Sequence, residues 1–226
     1  MEEQAGFLVH ALPSWRSVDR DVALKSSTNC RVSIYDKQRN QFLRCESLLE
    51  ANLVLSLMAN RNVVDIETQV MIGFERETGS TVQYVDVRAT YANGLVMLYP
   101  VRPSELDKAG RLKADVELMR DQIIGVHAHG IEIIDETVVT EGLVYRACAI
   151  LRARDLRNKR DVSRMATILQ GGKKVVQVFR LIQEFGDLGL GWNAMWNLID
   201  DGVLVHDCPD PDNTRLNHVS RVRAVA

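Results

Sequence analysis

The stretch from Tyr84 to Pro103 constrains this chain more than any other. Val85, Val87, Ala89 and Tyr91 alternate with Asp86, Arg88 and Thr90, which is the period of a strand with one face in the core. Asn93-Gly94 predicts a tight hairpin turn in which both residues take positive φ. Leu95 to Val101 is almost wholly apolar, as expected of a strand covered on both faces. Pro100 and Pro103 flank its end, where a missing amide is tolerated only at an edge or a terminus. The chain must therefore build a sheet around this hairpin. Its first strand carries a carboxylate, Asp86, and a cation, Arg102, closes its second.

Sheet-forming signals surround the hairpin. Arg31 to Tyr35 alternates, Asp36 to Asn40 is a polar turn, and Gln41 to Arg44 pairs back. Glu46 to Met58 switches to helical spacing with apolar residues on nearly every side, so it should lie against a sheet. Glu46 is placed in its first turn, favourable with the helix dipole. Val63 to Phe74 reads as one long strand and Glu75 to Ser80 as a charged loop. Ser104 begins a helix with acidic residues in its first turn, running through Lys113 and Val116 to about Gly125. Ile131 to Ile134 is a short strand, and Leu143 to Leu156 a further helix. Before Cys30 the pattern is thin: a short strand at 7–12, cations at Arg16, Arg20 and Lys25, and a turn at 27–30.

From Arg152 onward the composition changes. Arg152, Arg154, Arg157, Lys159, Arg160 and Arg164 fall close together, diluted by Asp155 and Asp161. A helix runs from Arg164 to Gln170 and stops at Gly171-Gly172. Lys173 to Phe185, opening on Lys173-Lys174, has helical spacing, and Trp192 to Ile199 is a short helix. Val203 to Val205 and Leu216 to Val222 are candidate strands around the loop at Pro209 to Asn213. Helix, helix, helix, strand, loop, strand is the order of a winged helix. The expected fold is α/β, with a mixed sheet core over residues 1–145 and a small, mainly helical unit over 146–226.

Composition narrows the function classes. A net charge of −2 over 226 residues excludes a polycation, so any nucleic-acid surface must be a local patch. Cys30, Cys45, Cys148 and Cys208 show no zinc spacing and are expected to be reduced, buried thiols. No apolar run reaches the length of a membrane span and the start of the chain has no signal-peptide pattern, so a cytoplasmic protein is expected.

Several pieces together resemble the TnsA-type endonuclease subunit of cut-and-paste transposons. They are Glu46-Ser-Leu-Leu-Glu50, Glu67-Thr-Gln69, the segment from Asp86 through Thr90-Tyr91 to Gly94, and Val101-Arg-Pro103. The match covers about residues 27 to 140. It implies a restriction-endonuclease-like core with a PD-(D/E)xK site, a C-terminal winged-helix-like domain, and partners of the transposase and ATPase-regulator kind. By that pattern Glu46 is the helix carboxylate, Asp86 the central metal ligand, Gln69 a supporting side chain and Arg102 the remnant of the catalytic lysine. The sequence departs from the pattern at the decisive place. A Glu-x-Lys should close the second strand, and Pro100-Val-Arg102 stands there instead. Mg²⁺ needs oxygen ligands that proline lacks, and a permanently protonated arginine grips a phosphate but cannot act as a base. Glu67 or Glu105 is a candidate replacement for the missing carboxylate.

Three readings follow. The first is a double-stranded-DNA-binding pseudonuclease of a mobile-element or phage setting, without cofactor. The second is an active endonuclease with an altered, Mg²⁺-dependent site at Asp86 and Glu46. The third is a protein-interaction module, with a homodimer among the possible assemblies. For DNA contact the candidates are Arg152, Arg154, Arg157, Lys159, Arg160, Arg164, Lys173, Lys174 and Asn193. The bland alternatives are a solvated helix face for the basic run, core packing for Trp192 and Trp196, and a turn for His127-Ala-His129.

Overall fold

The computed structural model describes residues 14–15, 30–107, 110–171 and 175–225. The readings at 7–12, at 16–29 and at 172–174, Lys173 and Lys174 among them, fall outside these. The first described strand is β1 (Ser14–Trp15), which pairs parallel with β3 (Gln41–Cys45). β3 in turn forms an antiparallel hairpin with β2 (Val32–Asp36). Next come α1 (Leu48–Ala59), β4 (Val63–Arg76), β5 (Gly79–Tyr91) and β6 (Val96–Tyr99). A 3-10 turn at Ser104–Asp107, α2 (Arg111–Ile123) and β7 (Gly130–Ile131) complete the first half. β4, β5 and β6 are antiparallel and β7 adds on parallel to β6, giving a mixed four-stranded sheet in the order β4-β5-β6-β7.

The second half runs α3 (Glu141–Asp155), α4 (Lys159–Gly171), β8 (Val175–Gln177), α5 (Val178–Phe185), α6 (Leu188–Asp200), β9 (Leu204–His206) and β10 (Arg221–Ala224). Its three short strands form an antiparallel sheet in the order β8-β10-β9. The protein is thus mixed α/β, with six α-helices among the described residues.

Three apolar clusters hold these elements. α1 buries Leu53, Val54 and Leu57 against Leu43, Ile66, Val87 and Ala89. α2 buries Val116, Met119 and Ile123 against Val70, Ile72, Phe74 and Leu98. The third cluster surrounds Trp196 and Phe185 and takes in Met165, Leu181, Met195, Leu204 and Val222. α3 serves two of them: Ile150 and Ala153 lie in the third cluster, whereas Val144 and Leu151 pack on the first. The expected division at 145/146 falls inside this helix.

Several local expectations are corrected. Only Gly94 of the Asn93-Gly94 pair has positive φ, at 84°. The connection is a three-residue loop in which Gly94 donates to the Tyr91 carbonyl at 2.9 Å and Tyr91 to the Leu95 carbonyl at 2.8 Å, so one left-handed glycine suffices. The strand expected over Leu95 to Val101 is continuous only over Val96–Tyr99, because Pro100 has no amide to continue it, and Val101 resumes pairing as an isolated parallel bridge to Ile134. The loop expected over 75–80 shrinks to Glu77-Thr78, the strands running on to Arg76 and from Gly79. The helix expected from Ser104 is interrupted, with Gly110 at φ 63° immediately before α2. Val175 to Gln177 form a strand rather than the first turn of a helix, since β10 offers them an antiparallel partner. The final strand is Arg221–Ala224, not Leu216 to Val222. Of the four cysteines only Cys45 is buried; Cys30 and Cys148 are exposed.

Candidate functional site

The start of α1 turns a carboxylate inward. Ser47 is the N-cap: its Oγ accepts from the Glu50 amide at 3.1 Å and donates to Glu50 Oε1 at 2.8 Å. Glu46 contributes its amide to Glu50 Oε2 at 2.8 Å. This is a form of the S-x-x-E capping box, with the glutamate reaching back one residue further than usual. The first-turn acid is therefore Glu50 and not Glu46, which precedes the cap. Glu50 is 6% exposed.

Two strands supply the rest. Gln69, on β4, is buried and holds φ at 56°, a left-handed conformation that costs a non-glycine residue of order 1 kcal/mol or more. Its side-chain nitrogen lies 3.4 Å from Glu50 Oε2 and 3.4 Å from Asp86 Oδ1. The neutral amide thus sits between two carboxylates. Asp86 directs Oδ2 to the Val101 amide at 2.7 Å. Val87 pairs with Tyr99 across β5 and β6, so the same register sets Asp86 opposite Pro100. Proline offers no amide there, and the carboxylate takes the next one along. Asp86 thereby closes the end of β6.

The electrostatics are those of crowded, buried acids. Burial, then the charge of Asp86, lifts the Glu50 carboxyl to about 7. Burial lifts Asp86 to about 6, against the pull of the Val101 amide and Gln69. Glu46 stands close enough that its charge raises both. Burial and the same two carboxylates push the Cys45 thiol up to about 12, so it is inert at neutral pH.

The structure therefore brings Glu46, Gln69 and Asp86 together and adds Glu50, which the sequence reading passed over although Ser47-Leu-Leu-Glu50 is a capping signature. Arg102 stands apart: it is exposed, and its guanidinium donates to the Leu106 carbonyl at 3.2 and 3.3 Å. Glu67 pairs with Arg88 across β4 and β5, and Glu105 is exposed on the 3-10 turn. Neither takes the place of the missing carboxylate. The residues present do not fit Mg²⁺. A donor amide lies between the two nearest carboxylates, where a hard cation needs oxygens. Among the described residues, no group of three His, Cys, Asp or Glu is placed to hold a metal.

The basic residues separate into two sets. Arg154 donates to both oxygens of Asp200, at 2.9 and 2.7 Å, and to the Met58 and Ala59 carbonyls at the end of α1. Arg157 donates to both oxygens of Asp201 and to Asn197 Oδ1. Arg61, from the sheet half, reaches Asp200 at 2.7 Å and Asp201 at 2.5 Å. Asn193 is also engaged, its side-chain amide donating to the Leu156 carbonyl at 2.9 Å. Arg61 and Arg154 thereby clamp the two halves together, while Arg157 and Asn193 tie α6 to the end of α3 within the second half. Arg152, Lys159 and Arg160 are exposed, and Arg164 lies over the Phe185 ring at 4.5 Å.

The remaining candidates are the two tryptophans and the His127-Ala-His129 segment, whose histidines are exposed. Trp196 is buried, with Trp192 and Tyr145 edge-on against it. His129 Nδ1 accepts from the Val96 amide at 3.0 Å, in the turn before β7. No helix among the described residues is long and apolar enough to cross a membrane. The chain matches no protein-family model and no curated protein.

Proposed function

We propose that the protein is a DNA-binding pseudonuclease: a restriction-endonuclease-like core of the TnsA type whose hydrolytic site has become structural, joined to a winged-helix-like unit. The observation that carries this reading is Asp86 opposite Pro100, with its carboxylate spent on the Val101 amide. Where the resemblance calls for a second metal-binding acid there is a proline, and where it calls for lysine there is an arginine directed elsewhere. The order α4, β8, α5, α6, β9, β10 with strands arranged β8-β10-β9 supports a winged helix.

Charge supports a nucleic-acid partner for the second half. Residues 146–226 carry 13 Lys and Arg against 9 Asp and Glu, a formal +4, whereas residues 1–145 carry 15 against 21, a formal −6, together giving the chain's −2. A transposase and an ATPase regulator are the protein partners the resemblance implies, in a cytoplasmic setting. A second reading, a protein-interaction module, is favoured by the exposed apolar start of α6, where Leu188 is 67% and Leu190 49% exposed.

The test is anisotropy of a labelled duplex titrated with the protein in Mg²⁺ over a salt series, followed by a denaturing gel. The expected result is binding that weakens steeply with salt while the strands stay intact. Cut strands would restore the enzyme, and absence of binding at low salt would leave the protein-interaction module.

A further inference from the structure

We infer that the duplex is gripped by its phosphates at the corner where α3 meets α4, through Arg152, Lys159, Arg160 and Arg164, and that α6 reads no bases. This rests on the DNA-binding reading above and deepens it by locating the contact and defining its kind.

The sorting of cations carries the first part. Arg154 and Arg157 belong to the clamp with Asp200 and Asp201, so releasing them to a phosphate would strand two carboxylates of which Asp200 is 2% exposed in its side chain. Arg152, Lys159 and Arg160 are exposed and have no carboxylate partner among the described residues. Only Leu156, Arg157 and Asn158 separate the two helices, so the last turn of α3 and the first of α4 are brought together. Arg160 and Arg164 stand one turn apart on the same side of α4. Asp161 is the one acid on α4.

The second part follows from what α6 and the loop between β9 and β10 lack. α6 contains neither lysine nor arginine, and its exposed opening is Leu188, Gly189 and Leu190. Base edges in the major groove are read by Arg, Lys, Asn, Gln and carboxylates. The two asparagines of α6 are already occupied, Asn193 on the Leu156 carbonyl and Asn197 on Ala153 and Arg157. The loop between β9 and β10 is not free either. Asp212 accepts from Arg146 and from Thr140 Oγ1, Arg215 pairs with Glu141, and a Cβ on Gly142 would come within 2.4 Å of the Asp212 carbonyl oxygen. The loop is thus seated on α3. Among the described residues, α3 and α4 offer no stacking platform of the sort that single strands require. α4 carries no aromatic residue, and the one on α3, Tyr145, is packed against Trp196. Backbone charge without base contacts fits a duplex bound irrespective of sequence.

The experiment compares the full-length protein with Lys159→Gln/Arg160→Gln and with Arg157→Gln, on one labelled duplex, its shuffled sequence and one of its single strands. The double variant is expected to fold as the wild type does and to lower the slope of log K against log salt by about 1.8, roughly 0.9 for each lost phosphate contact. Arg157→Gln is expected to lower Tm and leave that slope unchanged. The shuffled duplex is expected to bind equally and the single strand more weakly. A wild-type slope in the double variant, a preference for one sequence, or tighter single-strand binding would each overturn the inference while leaving DNA binding intact. A wild-type protein that binds none of the probes at low salt would instead remove the DNA reading itself.

Discussion

The acid cluster behind β5 and the arginine clamp at the end of α6 are both networks of ionisable groups enclosed by the fold, and they respond to charge in opposite ways. In the clamp, opposite charges meet. Burial alone would raise the Asp200 carboxyl, but hydrogen bonds from Arg154 and Arg61 outweigh it and hold it below the usual range. In the cluster, Glu50 and Asp86 share one neutral amide, and both rise. A buried network of one sign persists by taking up protons, and a buried network of two signs by geometry. The first is sensitive to pH near neutrality and the second to the loss of any member.

Breaking the clamp should have the largest effect. Arg154→Ala leaves Asp200 enclosed without its bidentate partner and two helix-end carbonyls without donors. A loss of about 3–5 kcal/mol is expected in urea denaturation. A value under about 1 kcal/mol would mean that the clamp is an incidental surface contact. Gly142→Ala should cost about 1–3 kcal/mol by driving a methyl group into the backbone at Asp212, despite improving helix propensity. A stabilised variant in the same assay would show the loop to be loosely seated.

The cluster is sharpened by pH. Glu50 has a folded value raised from 4.5 to about 7, so its protonated form favours the fold. That contribution is fully present below about pH 4.5 and is lost as pH rises through about 7. Asp200 is depressed, so its contribution holds above the ordinary value of 3.8 and fails on further acidification. Thermal melts should therefore show greatest stability on the acid side of neutrality and a collapse below about pH 4. Glu50→Gln should flatten the slope between pH 5 and 8 while sparing the acid collapse, and an unchanged profile would dissociate Glu50 from it. The smallest effect is expected at the cap: Ser47→Ala should cost about 1 kcal/mol by removing an acceptor for the Glu50 amide, measurable as a lowered midpoint in urea.

The sheet half was readable from sequence wherever period decided the matter. Alternation placed Asp86 on a strand and faced its apolar neighbours inward, and the long strand at Val63 was evident from composition alone. The site was less readable. Glu46 and Glu50 both lie at the start of a helix, and only the cap geometry at Ser47 decides which one turns in. The left-handed backbone of Gln69 leaves no mark on sequence, because glutamine is not a residue type that favours positive φ. In the second half, spacing suggested a helix at Val175, where a distant partner, Arg223, makes a strand. The basic run looked uniform until Asp200 and Asp201, far along the chain, were found to claim two of its members.

α3 belongs to two cores at once, and this bears on how such a chain is inherited. A segment passes between proteins as an exchangeable module only when its boundary cuts few contacts. Here any cut near 145 divides a helix, removes a wall from two of the three apolar clusters and separates Arg61 from its two aspartates. The two halves are therefore expected to melt in one transition, and a cut near 145 would cost both of them contacts.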